Sequence, residues 1–198
     1  MTPLQTLGLV LGTAFAAGLN VYATVATLGL LQHFEVIALP PTLAGLAHPV
    51  VIGVAVALFV VEFVADKVPW VDTLWDTAHT VVRPLGGALI AVSTLGEASP
   101  WIQGLAALAG GTLAAGGHLT KAGTRAAANM SPEPFSNWAL SLAEDVFVVG
   151  LGALALAYPV AALVVTTVAV VVIVLLLRWL IGWIRRAAAP PDAAASTG

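Results

Sequence analysis

Apolar residues run along this chain in six long stretches, each separated from the next by a short polar or proline-bearing break. A bilayer core of ~30 Å takes about 20 residues of helix, and segments 4–31, 49–65, 74–95, 101–120, 135–157 and 160–183 meet that requirement. The breaks carry turn chemistry. Pro40 and Pro41 precede the second segment, Pro69 follows it, Ser99 and Pro100 precede the fourth, Pro132 and Pro134 the fifth, and Pro159 the sixth. The pattern predicts an all-α membrane protein with about six transmembrane helices in a single polytopic domain, residues 1–186. The tail, 187–198, consists of Ala, Pro and small polar residues, cannot bury a core, and is expected to be disordered in the cytoplasm.

Composition narrows the class further. Of 198 residues, 60% are hydrophobic and 9% charged, with a mean hydropathy of +1.00, too little polar surface to cover a water-soluble globule. The absence of cysteine excludes disulfides, thiolate metal sites and cysteine nucleophiles. A net charge of -3 and the lack of any basic, aromatic-interleaved patch exclude nucleic acid as a partner. The first apolar stretch has no basic flank and no small-residue cleavage site, so it reads as a membrane helix and not as a removable signal.

Lysine and arginine near span ends are retained on the cytoplasmic side. All seven agree on one orientation: Lys67 and Arg83 flank the second-to-third connection, Lys121 and Arg125 the fourth-to-fifth, and Arg178, Arg185 and Arg186 close the sixth segment. The expected topology is multi-pass in a bacterial inner membrane with both termini cytoplasmic. Segments two with three, and four with five, are expected to form two central helical hairpins with charged cytoplasmic tips, loosely resembling a parallel duplication. Small residues at helical spacing, Gly8 with Gly12, Ala107 with Gly111 and Gly150 with Ala153, suit close helix packing.

The polar residues fall into stripes. Glu62 and Asp66 are four apart; Asp72, Asp76, His79 and Arg83 follow at intervals of four, three and four; His118, Lys121 and Arg125 share a face with Asn129 on the same line; Asn137, Ser141 and the Glu144/Asp145 pair form a fourth stripe. Charge inside a membrane helix costs several kcal/mol unless it meets water or a partner, so these positions carry the functional information. Glu144 lies about 12 Å inside its segment and Glu62 about one turn inside, whereas Asp66, Lys67 and Lys121 fit the headgroup level as topology signals. Pro84, directly after Arg83, removes a helix hydrogen bond near Thr80. Asn20 and Tyr22, midway along the first segment, are placed to reach the same cavity.

Three readings of this chemistry stand beside one another. Arg83, His118, Lys121 and Arg125 suit a small anionic or phosphate-bearing ligand, a lipid headgroup included. Asn20 and Asn137 would line the cavity. A carboxyl buried in a membrane helix can exchange a proton, so Glu62, Asp66, Glu144 and Asp145 are candidates for proton coupling or for a charge network. Alternatively Asp72, Asp76 and His79, with Glu62 and Asp66, offer oxygen and imidazole ligands to a divalent cation, the one cofactor the sequence suggests. A non-catalytic scaffold stabilised by its charges is the third. The spacing of His79, Asp76 and Asp72 admits a general base with an orienting acid, but no serine elbow, metalloprotease helix or phosphate-binding glycine loop accompanies it, and an enzyme is the less favoured class. The expected partners are the lipid bilayer and the small ligand, with a homo-oligomer compatible.

Three stretches, AAGLNVYATVATLGL, EFVADKVPWVDTLWDTAHTVVRPLGGAL and GHLTKAGTRAAANMSPEPFSNWALSLAEDV, resemble the bacterial membrane-protein family catalogued as domain of unknown function 4126. The likeness runs over 12–159 and rests on Glu62 with Asp66 and Lys67, Asp72, Arg83 with Pro84, His118 with Lys121 and Arg125, and Glu144 with Asp145; the sixth segment and the tail lie outside it. The resemblance implies a small multi-helix membrane protein and brings no established activity with it.

Overall fold

Proline starts most of the helices in this chain, because its fixed φ suits the first helical turn and its missing N–H is unneeded there. In a computed structural model that describes residues 1–129 and 135–187, α1 (Pro3–Leu19), α3 (Pro49–Ala65), α4 (Pro69–Leu95), α5 (Pro100–Asn129) and α7 (Pro159–Ala187) each begin on one. The remaining elements are α2 (Val21–His33), a 3-10 segment (Pro41–Ala47) and α6 (Phe135–Ala157), and no strand occurs among the described residues. Residues Met1–Thr166 form one compact unit; Thr167–Gly198, described as far as residue 187, form a second consisting of the rest of α7. The tail expected to be disordered lies, beyond residue 187, outside the described residues, as do Pro132 and Pro134.

The first apolar stretch departs from expectation. It is two helices broken at Asn20, whose backbone is extended at φ -153°, ψ 101°. Asn20 caps both ends of the break: its N–H donates to the Ala16 carbonyl at 2.9 Å, and its Oδ1 accepts from the Ala23 N–H at 2.9 Å. One asparagine thereby satisfies groups that an uninterrupted helix would have paired internally. At ~1.5 Å per residue α1 is only about 26 Å long, and α2, with 13 residues, is shorter still.

Among the described residues three helices are long and apolar enough to cross a membrane, Trp70–Leu95, Asn137–Ala157 and Pro159–Trp183, or four if the 3-10 segment and α3, bent by 68°, count as one span. The helix α4 passes through Pro84 without ending, and α5 runs nine residues beyond the 120 expected, carrying Lys121 and Arg125 inside a helix. Exposure is inverted relative to a soluble domain. Val50, Val54, Val61, Leu85, Leu89, Leu108, Leu119, Leu142 and Val146 face outward, while Glu62, Arg83, Lys121 and Arg125 are at most 1% exposed. That distribution is consistent with a protein surrounded by lipid.

Packing does not follow the expected hairpins. The most extensive interface is α4 on α5, and α1 packs against both; α3 lies chiefly on α2, and α6 on α1 and α2, whereas α3 with α4 and α5 with α6 touch far less. Small residues permit the tight crossing: a Cβ placed on Gly110 would stand 2.8 Å from the Gly87 carbonyl oxygen, and one on Gly18 would collide with the Ala114 backbone. Gly8 against Pro159 and Gly12 against Ala155 and Ala162 act likewise, but Gly150 has nothing within 4 Å. Gly18→Val should therefore cost about 1–3 kcal/mol by overpacking and lower the melting temperature in detergent, whereas Gly53→Val, with open space around it, should leave it unchanged.

Candidate functional site

The N-terminal half of α4, the C-terminal half of α5, the last turn of α3 and the start of α6 converge at one end of the bundle. At a rise of ~1.5 Å per residue, side chains three or four apart share a face, so Glu62/Asp66, Asp76/Arg83 and His118/Lys121/Arg125 enter the interior as rows. Glu62 Oε1 accepts from Arg83 Nη2 and from Lys121 Nζ, both at 2.8 Å. Lys121 also reaches Asp66 Oδ2 at 3.2 Å, and Arg125 Nη2 reaches the same oxygen at 2.6 Å. Arg125 further donates to Glu144 Oε2 from Nε (3.3 Å) and Nη2 (3.2 Å), to Asn137 Oδ1 (2.8 Å) and to the Asp66 carbonyl (2.9 Å). Asn137 Nδ2 donates to that carbonyl at 3.1 Å, and Ser141 Oγ to Asp66 Oδ2 at 3.4 Å. The end of α3 is thus sewn to α5 and α6 through one aspartate.

Arg83 links this set to the second half of the site. Its Nη1 lies 3.3 Å from Asp76 Oδ1 and donates to His118 Nδ1 at 2.8 Å. A guanidinium offers no lone pair, so His118 accepts at Nδ1 and is neutral, with its proton on Nε2 facing Thr80 Oγ1 at 3.2 Å. Thr80 in turn donates to the Asp76 carbonyl at 3.1 Å. The role of Thr80 was not read from the sequence, although it lies three residues before Arg83 on the same stripe. Lys67 stands apart: its Nζ donates to the Phe63 carbonyl at 2.8 Å and sits 2.9 Å from the centre of the Phe63 ring, a cation–π contact.

The residues expected to hold a divalent metal are drawn to separate partners. Asp72 Oδ2 accepts from Asn129 Nδ2 at 3.0 Å, Asp76 faces Arg83, and His79 donates from Nδ1 to the Trp75 carbonyl (2.7 Å) while its Nε2 meets the Tyr22 hydroxyl (2.9 Å). Among the described residues no three His, Asp or Glu side chains are grouped to hold a metal ion. Asp145 also lies outside the ion pairs; its Oδ1 accepts from Asn20 Nδ2 at 3.2 Å, at the break between α1 and α2. The basic set Arg83, His118, Lys121 and Arg125 is assembled as expected, but its donors point mainly at carboxylates of the protein itself.

Between α4 and α5 a cleft of about 170 Å³ opens onto this network, lined by Asp72, Asp76, Thr80, His118, Arg125 and Asn129 among others. Removing one member of a buried ion pair costs about 3–5 kcal/mol, because the partner's charge is stranded. Asp66→Ala, which takes one carboxylate from both Lys121 and Arg125 and leaves them only Glu62 and Glu144, should lower the melting temperature of the purified protein or prevent its accumulation. Lys67→Gln should change it little, and thermal unfolding in detergent distinguishes the two.

A family model described as a domain of unknown function (DUF4126) matches residues 7–179. The match continues through most of α7, so most of the sixth apolar segment is included in it, beyond the 12–159 over which the resemblance was read. No curated protein and no solved structure matches the chain.

Proposed function

The chain belongs to the DUF4126 family, and from that premise we propose that it is a six-span transporter of the bacterial inner membrane that moves a small charged solute with proton coupling. In this reading α1 and α2 make one broken span, α3 to α7 the other five, and both termini are cytoplasmic. Lys67, Arg178, Arg185 and Arg186 support the orientation, since segments 32–48 and 96–100 carry no Lys or Arg. Arg83, Lys121 and Arg125 weigh less in it, because each is held in a buried ion pair.

The observation that carries the transport reading is a charge imbalance beside an open cleft. Six carboxyls, Glu62, Asp66, Asp72, Asp76, Glu144 and Asp145, stand against three strong bases, Arg83, Lys121 and Arg125, with Asp72 and Asp145 outside the ion pairs, and adding Lys67 still leaves two carboxyls in excess. A network kept only for stability has reason to be balanced, since each uncompensated buried charge costs several kcal/mol. An excess of buried carboxyls is the composition of a proton relay, which takes up and releases protons as a charged solute comes and goes. Asp145 is well sited for such a role: its Oδ2 has no hydrogen-bond partner, and it adjoins a break between two half-helices, a recurrent setting for coupled sites. One observation favours a second reading, in which a phosphate-bearing solute or lipid headgroup displaces carboxylates from the bases: Arg83 Nε is buried and unpaired.

The absence of native cysteine makes the topology directly testable. Thr2→Cys should be labelled by a membrane-impermeant maleimide only in inverted vesicles, and Glu97→Cys only in intact spheroplasts. For transport, proteoliposomes containing a trapped pH dye should show proton movement on addition of methylammonium, inorganic phosphate or glycerol 3-phosphate under an imposed pH gradient. The movement should be lost in Asp145→Asn. A dye response to all three solutes no larger than in protein-free liposomes, where neutral methylamine alone sets the methylammonium background, would overturn the transport reading in favour of a scaffold.

A further inference from the structure

Hydrogen-bonding capacity in the cleft between α4 and α5 is one-sided. Most donors on its wall are already engaged. All five N–H groups of Arg125 reach Glu144, Asn137 or Asp66. His118 gives its proton to Thr80, Thr80 to the Asp76 carbonyl, and Thr77 to the Thr73 carbonyl. The acceptors are not. Asp72 Oδ1, Asp76 Oδ1 and Asn129 Oδ1 are buried without a hydrogen-bond partner, all three residues line the cleft, and Asp72 and Asp76 are only 1% and 7% exposed. Asp76 has Arg83 beside it, but Asp72 makes no ion pair among the described residues.

We propose that this cleft binds a small monovalent cation bearing N–H donors, an ammonium or guanidinium group, held by Asp72 together with Asp76 and Asn129. The identification proceeds by matching valences. An anion would meet two carboxylates and, beyond the second N–H of Asn129, no donor that the wall has left over. A divalent metal prefers several hard ligands closing on one point, and among the described residues no three His, Asp or Glu side chains are grouped to supply them. Water supplies donors but leaves the Asp72 charge without a counter-charge in a low-dielectric surround. A compact cation with two or three N–H groups meets both needs at once, through charge-assisted hydrogen bonds. The cleft volume of about 170 Å³ accommodates it with water to spare, a water molecule's share of liquid being ≈ 30 Å³. This assignment names the solute class for the proposed transporter; the binding itself does not depend on transport.

The experiment is direct binding to the purified full-length protein in detergent, by calorimetry and thermal shift at constant ionic strength. The probes are methylammonium, tetramethylammonium and sodium chlorides. Methylammonium should bind selectively. Tetramethylammonium, which carries the charge without a donor, should not. Asp72→Asn should weaken methylammonium at least tenfold, and Ala122→Leu, which narrows the cleft and leaves every ion pair in place, should do the same in a protein of undisturbed stability. Equal responses to methylammonium and tetramethylammonium, no selective response at all, or an Ala122→Leu protein that binds as the original does would each overturn the proposal and leave a water-filled pocket. Selective binding without proton movement in liposomes would remove the transport reading and keep this one; phosphate-driven proton movement without methylammonium binding would do the reverse.

Discussion

At 2.6 Å the contact between Arg125 Nη2 and Asp66 Oδ2 fixes the last turn of α3 against the far end of α5, and the rest of the polar interior is arranged around it. The carbonyl of the same aspartate receives Arg125 Nη1 and Asn137 Nδ2, so backbone and side chain of one residue bind three helices. One helical turn away along α5, Lys121 repeats the pattern with Glu62, and a further turn brings His118 to Arg83. The regular rise of the helix turns a spacing of three and four residues into a row of buried ion pairs, each of which removes the desolvation problem of its neighbour. Without its acids, the basic face of α5 would be untenable in an apolar surround.

This arrangement requires α4, α5 and α1 to approach closely, and the approach depends on missing side chains. Gly87 against Gly110 and Gly18 against Ala114 bring backbones together where apolar interiors in lipid gain little from the hydrophobic effect and rely on contact and hydrogen bonding. The break at Asn20 belongs to the same construction. By closing α1 and opening α2 with its own backbone and side chain, Asn20 keeps Nδ2 free for Asp145, so an irregular stretch of backbone is tolerated where it faces a buried polar partner.

The helical class, the helix boundaries of α3 and α6 and the membership of each polar stripe were legible in the sequence, because periodicity of three and four and proline positions encode them locally. Partner choice was not. Nothing in the spacing of Asp72, Asp76 and His79 says that Asn129, Arg83 and Tyr22 will claim them separately, since those contacts cross between elements far apart in the chain. The reading of Lys121 as a solvated charge missed its partners for the same reason: α5 continues to Asn129 and carries Lys121 inside a helix, where Glu62 holds it at 1% exposure. The expected hairpins of α3 with α4 and of α5 with α6 also gave way to packing of α4 on α5, which the paired glycines permit but do not announce. Asn20 could have been suspected, as a strong cap residue inside an otherwise apolar run, but a simple interhelical hydrogen bond explains the same residue type equally well.

What separates the cleft from the rest of the network is therefore the state of its valences. Within the network, bases and acids consume one another's hydrogen-bonding capacity almost completely around Arg125. At the cleft the consumption stops on one side: most of the wall's donors are engaged inward, while Asp72 and Asn129 each keep an acceptor oxygen without a partner and Asp76 Oδ1 has Arg83 Nη1 alone, at 3.3 Å. A protein that needed only stability would gain by closing that gap with an apolar side chain or a further base, because an uncompensated buried carboxylate works against folding. Its presence beside a cavity, on the same face that holds the balanced pairs, makes the imbalance a property of a site that is completed from outside the chain.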